Sequence, residues 1–209
     1  MIIEIHSILE VLPFLDADTH LFLDLDNTLL TSVLEFGSER WEKYLIQHFV
    51  QEGISEKEAI ERACEIWKAV QAVSPIQLVE TEAVKLLSHN PVFAITARDV
   101  GFRSVTEEQL ASLNLQFKDV FYCGFTPKGD VLQSYIERHN PKRIVMVDDY
   151  PSHLEYAEKK LTVPFVGLRY GHLDERKANY KPCEVTKLLG KLVIHPEASQ
   201  FLRKGIVRP

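Results

Sequence analysis

Apolar residues recur along this chain in two rhythms, and the switches between them mark its elements. Short continuous runs at residues 21–25, 92–96, 119–123, 144–147 and 165–168 are bounded by polar or turn-forming residues. Runs of that length and composition read as buried strands. Between them lie longer stretches with helical spacing, at residues 80–88, 106–113, 129–138, 152–160 and 185–192. In the third of these, Val131, Leu132, Tyr135 and Ile136 form one stripe. Strand and helix in alternation predict a parallel sheet covered by helices on both faces.

Residues 32–79 break the alternation. Trp41, Tyr44, Leu45, His48 and Phe49 fall on one helical face. Ser55 and Glu58 have the spacing of a capping box and open a second helix, with Ala59, Ala63, Ile66 and Val70 on one stripe, that ends at Ser74-Pro75. The expected organisation is an α/β core from residues 1–31 and 80–209, with a two-helix insertion over 32–79. That insertion is either a cap over a site or a helical crossover packed on the sheet. Ahead of the first strand, Ile5, Ile8, Leu9 and Leu12 follow helical spacing and predict a short helix beside it.

The polar residues that end the strands carry the chemistry. The run at 20–23 delivers Asp24 and Asp26, followed by Asn27 and Thr28. Alternate residues of an extended chain face the same way, so the two carboxylates would sit together at the strand's C-terminal edge, where open α/β sheets bind ligands. Paired carboxylates resist ionising unless a cation is present, and Mg2+ beside a substrate phosphate meets that need. An Asp-Asn-Thr helix cap without chemistry would give the same four residues. Three further signals recur at matching positions. Residues 92–95 end in Thr96-Ala97-Arg98, Lys128 follows Thr126-Pro127 at a helix start, and residues 143–147 end in Asp148-Asp149.

Taken in order, DLDNTL, TAR, a lone lysine and a strand ending in Asp-Asp resemble the haloacid-dehalogenase-like (HAD) hydrolase superfamily, over residues 21–168. The resemblance implies a three-layer Rossmann-like α/β core with all four motifs on its C-terminal edge, and makes residues 32–79 a small helical cap. It implies that Asp24 is a nucleophile forming an aspartyl-phosphate and that Asp26 is the general acid/base. Thr96 would hydrogen-bond the phosphoryl group, and Lys128 would hold nucleophile and phosphate together. Mg2+ would be bound by Asp24, the Asp26 backbone carbonyl, Asp149 and, directly or through water, Asp148. Where members of the superfamily often carry Asp or Asn four residues after the metal acid, this chain has His153. Neutral imidazole is a poor Mg2+ ligand, so His153 is expected to hydrogen-bond a metal-binding acid. Thr28, Arg98 and Trp41 are further candidates for substrate contact. The implied activity is a Mg2+-dependent phosphatase acting on a small phosphorylated metabolite. A phosphotransferase or phosphomutase, an enzyme of polymer phosphates and a non-catalytic binding module of the same fold are the alternatives.

Composition narrows this further. The 209 residues suit one domain with a modest insertion. A formal net charge of -6 disfavours nucleic acid and anionic membrane as partners. Cys64, Cys123 and Cys183 are scattered and lack zinc-site spacing, so neither a disulfide framework nor zinc is indicated. With no basic, apolar leader and no stretch of membrane-spanning length, the sequence points to a cytoplasmic location.

Overall fold

The computed structural model describes residues 1–33, 37–89 and 91–172. Residues 1–31 and 78–172 form one compact unit, and residues 32–77 belong to a second.

The first unit is built on a six-stranded sheet. Its strands are β1 (Ile2–Ile5), β2 (Thr19–Leu23), β5 (Val92–Thr96), β6 (Val120–Tyr122), β7 (Arg143–Asp148) and β8 (Phe165–Tyr170). Two short strands, β3 (Leu30–Ser32) and β4 (Ile76–Leu78), pair with each other in a separate ladder where the chain passes between the units. The large sheet runs β1-β8-β7-β2-β5-β6, and each neighbouring pair is parallel. Central strands of such a sheet are covered on both faces and need continuous apolar runs. Leu21, Phe22, Leu23 and residues 144–147 are accordingly buried. The aromatic part of the core forms around β2. Phe22 stacks on Phe93 at 4.8 Å between centroids, and Tyr135 meets Phe22 edge-on at 5.1 Å.

The order of the strands decides where a ligand can go. From β2 the chain builds outward through β5 and β6, then returns to β7 on the other flank of β2 and continues outward through β8. The switch point therefore lies between β2 and β7, and in open α/β sheets the crevice beyond that point is the binding position. Three α-helices serve this unit: α3 (Arg103–Ser112), α4 (Lys128–His139) and α5 (Pro151–Lys160). α4 and α5 approach closely because Gly129 has no side chain. A Cβ there would lie 2.8 Å from Tyr156 Cδ1 and 3.1 Å from Ala157 Cα. The first two residues of α4, Lys128 and Gly129, are both buried.

The ends of the chain's first unit differ from expectation. The N-terminus enters the sheet as edge strand β1, paired with β8 from Ile2↔Gly167 to Ile5↔Tyr170. The short helix that follows is a 3-10 helix, Ile8–Phe14, opened by a Ser7–Glu10 capping box. Residues expected as an α-helix over 80–88 instead form a 3-10 helix, Thr81–Ser88. The helix expected over 185–192 lies outside the described residues.

The second unit contains α1 (Glu39–Gln51) and α2 (Glu56–Gln71). Ser38 and Ser55 cap them, accepting from the backbone N–H groups of Trp41 and Glu58. Trp41, Leu45 and Phe49 of α1 pack on Ala59, Ala63, Ile66 and Val70 of α2, small residues against large ones, in a core of their own. No described helix is long and apolar enough to cross a membrane.

Candidate functional site

Register brings the site together. Leu23 of β2 is paired with Val147 of β7, so the next residues on the two parallel strands are Asp24 and Asp148. The Asp24 N–H still donates to the Val147 carbonyl, at 2.9 Å, which keeps the carboxylates level. Both are buried: Asp24 is 5 % exposed and Asp148 0 %. Lys128, the first residue of α4, lies between them with Nζ 2.7 Å from Asp24 Oδ1 and 2.7 Å from Asp148 Oδ2. Asp148 Oδ1 accepts from the Tyr150 N–H at 2.8 Å and lies 3.1 Å from His153 Nδ1. Asp149, half-buried, completes the group: Asp24, Asp148 and Asp149 can each offer an oxygen within 4.8 Å of the others.

Electrostatics set the character of this cluster. Burial, set against Lys128 and reinforced by Asp148, pushes the Asp24 carboxyl up to about 7. Burial acts on Asp148 in the same sense, but Lys128 and His153 overcome it and hold this acid below its ordinary range. Burial works against the Lys128 ammonium, and the two carboxylates more than restore it. Asp24 and Asp148 thus share one lysine. With Asp149 they make an all-oxygen donor set, which suits Mg2+ or Ca2+. The residues fit such an ion. Thr28, two residues beyond Asp26, carries a side-chain hydroxyl. It is buried in the loop beyond Asp26 and has no hydrogen-bond partner, a costly state for a polar group that no ligand engages.

The other flank of β2 is organised differently. The chain beyond Asp26 turns sharply, with Asn27 in the left-handed region at φ 60° and its N–H donating to the Leu30 carbonyl at 2.8 Å. Asp26 accepts from Arg98 through both oxygens, at 2.8 Å each. Thr96 ends β5, and its hydroxyl oxygen accepts from the Arg98 N–H at 3.1 Å. Asp24, Lys128, Asp148 and Asp149 therefore converge as one cluster, and Asp26, Thr96 and Arg98 as a second. Sequence reasoning placed all seven at the same sheet edge. It offered Arg98 as a candidate for substrate contact or as the partner of an acid; its guanidinium is buried and engaged by Asp26, Thr106 and Gln109. Trp41 belongs to the core of the two-helix unit, 2 % exposed. Two residues were missed, Thr106 and Gln109. Each reads as an ordinary helix residue, and only the fold turns it toward Arg98. Cys123 is buried, and burial pushes its thiol up to about 12.

Fold and site define a class: a Rossmann-like α/β protein carrying a buried carboxylate–lysine cluster at the switch point of its parallel sheet. The chain belongs to the family described as "Protein of unknown function (DUF2608)", which matches residues 2–125. It is 25% identical to a protein of Chlamydia trachomatis serovar D, over 96% of this chain and 88% of the relative. It is likewise 25% identical to one of Chlamydia muridarum, over 95% and 87%. A Chlamydia pneumoniae protein is 27% identical over 55% of this chain and 46% of its own. All three bear the name "Putative outer membrane protein". That name overturns the cytoplasmic location expected from the sequence. The expectation leaned on the lack of a long apolar segment, and such a lack says nothing of outer-membrane proteins, which cross as β-barrels of alternating strands.

Proposed function

We propose that this protein is a phosphomonoesterase of the HAD type, working on small phosphorylated compounds through an aspartyl-phosphate. The observation that carries the reading is the meeting of Asp24, Lys128 and Asp148 beyond the β2–β7 switch point, with Asp149 close enough to offer an oxygen to the same ion.

In this reading Asp24, Asp148 and Asp149 hold Mg2+, with the Asp26 backbone carbonyl added. When bound, the ion neutralises the charge of an approaching phosphate and so lets a carboxylate act as nucleophile toward it. The protein's own groups then do the following. An Asp24 oxygen forms a bond to phosphorus as the bond from phosphorus to the ester oxygen breaks. Asp26 gives its proton to that departing oxygen, and an alcohol leaves. Water next attacks phosphorus, Asp26 takes its proton, and the bond to Asp24 breaks, which releases phosphate and restores both acids. Lys128 keeps Asp24 and the phosphate in register. The Thr96 hydroxyl, whose oxygen already accepts from the Arg98 N–H, has its proton to give to a phosphoryl oxygen. The two-helix unit, inserted directly after the strand that carries Asp24, is the small cap of this reading.

The test is an assay of purified protein on a panel of phosphate monoesters, with Mg2+ and with excess EDTA. Turnover that appears with Mg2+ and vanishes in chelator is the expected result. Full activity in excess chelator, or none on any ester with Mg2+ present, overturns the reading.

A further inference from the structure

We propose that Arg98 is a positioning residue for Asp26, its guanidinium aiming that carboxyl at the ester oxygen instead of binding a substrate anion. The inference rests on the phosphatase reading for the role of Asp26.

The geometry is that of a clamp fixed from behind. Nε and Nη2 donate to different oxygens of Asp26, each at 2.8 Å, the forked arrangement that fixes orientation as well as distance. Nη1 donates to Thr106 Oγ1 at 3.0 Å and to Gln109 Oε1 at 2.7 Å, both on α3. The Thr106 hydroxyl in turn donates to the Phe102 carbonyl at 3.0 Å, and the guanidinium carbon lies 5.1 Å from the centre of the Phe102 ring. The plane of the guanidinium is therefore set by α3 and Phe102 independently of Asp26. The Arg98 side chain is 1 % exposed and that of Asp26 30 %. An arginine built to capture a substrate anion would show the reverse, with its donors open and its partner absent.

Asp26 sits in an irregular turn beside left-handed Asn27, on a loop and not on the regular strand that precedes it. A catalytic group misplaced by an ångström loses much of its effect. With its fork Arg98 fixes the direction of Asp26 through both carboxylate oxygens. Through its backbone N–H it also fixes the acceptor side of Thr96 Oγ1, so one residue directs two groups of the proposed chemistry.

The experiment compares wild type, Arg98→Met, Arg98→Lys, Asp26→Asn and the Arg98→Met/Asp26→Asn double variant. The substrates are p-nitrophenyl phosphate, whose leaving group departs unprotonated, and glycerol phosphate, whose leaving group needs a proton. Because kcat/KM reports only steps up to formation of the aspartyl-phosphate, it isolates proton donation. Arg98→Met should lower kcat/KM for glycerol phosphate about 100-fold, the scale of a lost general acid, and that for the nitrophenyl ester by less than about 5-fold. Inorganic phosphate should bind within about twofold of wild type by calorimetry, and in the Asp26→Asn background Arg98→Met should cost nothing further. Arg98→Lys keeps the charge without the fork and should show the same selectivity at smaller size; it carries the test if the methionine variant fails to fold. Equal losses on both esters with phosphate binding weakened tenfold would overturn the proposal in favour of anion binding. So would an undiminished loss in the Asp26→Asn background. Where wild type turns over other esters of the panel instead, its best aryl and alkyl substrates replace these two. Wild type inert toward every ester of the panel overturns the phosphatase reading and this one with it; an active wild type indifferent to Arg98 overturns this one alone.

Discussion

The two flanks of β2 carry buried ions of opposite design. On the β7 flank one ammonium serves two buried carboxylates, and the Asp24 carboxyl is pushed up to about 7 because burial and the like charge of Asp148 outweigh the lysine. On the β5 flank one guanidinium serves one carboxylate through two matched hydrogen bonds, with its remaining contacts satisfied by α3. Isolated charges are costly to bury. A folded chain therefore keeps an imbalance only where something else completes it, and keeps a balanced pair where direction matters. In the proposed reading the flanks do different work: ligand capture toward β7, aim toward β5.

Removing the imbalance at its source should have the largest effect. Asp24→Asn takes away the proposed nucleophile and should lower turnover at least about 1,000-fold, more than about 4 kcal/mol in barrier terms. The same change should stabilise the metal-free protein. Asp24 is raised in the fold from an unfolded value of about 3.9. Its contribution is thus fully present below pH 4 and lost as pH rises through about 7. That loss amounts to roughly 4 kcal/mol. Asparagine, a permanent mimic of the protonated acid, escapes it. Thermal unfolding in EDTA should show the variant more stable than wild type at pH 8 and nearly equal at pH 4. A variant less stable than wild type at pH 8 would contradict the charge-deficit account. The trade of activity against stability is the usual one for a site built around strain.

Deepening the imbalance is the second test. Lys128→Met leaves Asp24 and Asp148 buried without their cation, and stripping one partner from a buried ion pair costs about 3–5 kcal/mol. The loss should be smaller at pH 5, where Asp24 takes up a proton, than at pH 8. It should also be partly reversed by Mg2+, since a divalent cation answers the same charge. Denaturant unfolding at the two pH values, with and without Mg2+, measures all three. A pH-independent loss would mean that the lysine matters for packing alone.

These two flanks also differ in how far they could be read from sequence. Asp24, Asp148 and Asp149 were legible because each ends a continuous apolar run, and parallel strands with buried faces leave few registers open. Lys128 was legible through Pro127, which starts a helix where the lysine falls in its first turn. The partner of Arg98 was not legible. Thr106 and Gln109 come into reach only through the packing of α3, and nothing local distinguishes them from solvent-facing helix residues. Edge strand β1 was missed for a related reason. Its four residues acquire strand character from β8, more than 160 positions away, while Ile5 at its end shares a helical spacing with Ile8, Leu9 and Leu12 of the 3-10 helix that follows. In the two-helix unit the 3.6-residue rhythm sufficed, since α1 and α2 bury the expected faces against each other.

The smallest expected effect concerns His153, and it sharpens the comparison by asking whether the β7 flank is tuned as well as assembled. Its ring nitrogen lies 3.1 and 3.2 Å from the two oxygens of Asp148, so it contacts an acid of the cluster and helps to hold that acid below its ordinary range, after Lys128 in size. Groups that orient a metal-binding acid from outside are worth about 10–100-fold in metal affinity. In wild type, Mg2+ at a hundred times its dissociation constant should raise unfolding stability by about 2.7 kcal/mol. His153→Ala at the same Mg2+ concentration should retain between about 0.4 and 1.4 kcal/mol of that gain, with metal-free stability little changed because the ring is a third exposed. Calorimetric titration with Mg2+ gives the affinity directly. If the alanine variant binds Mg2+ as wild type does, the imidazole contributes only to seating α5, and the tuning of the β7 flank falls to Lys128 and the Tyr150 N–H alone.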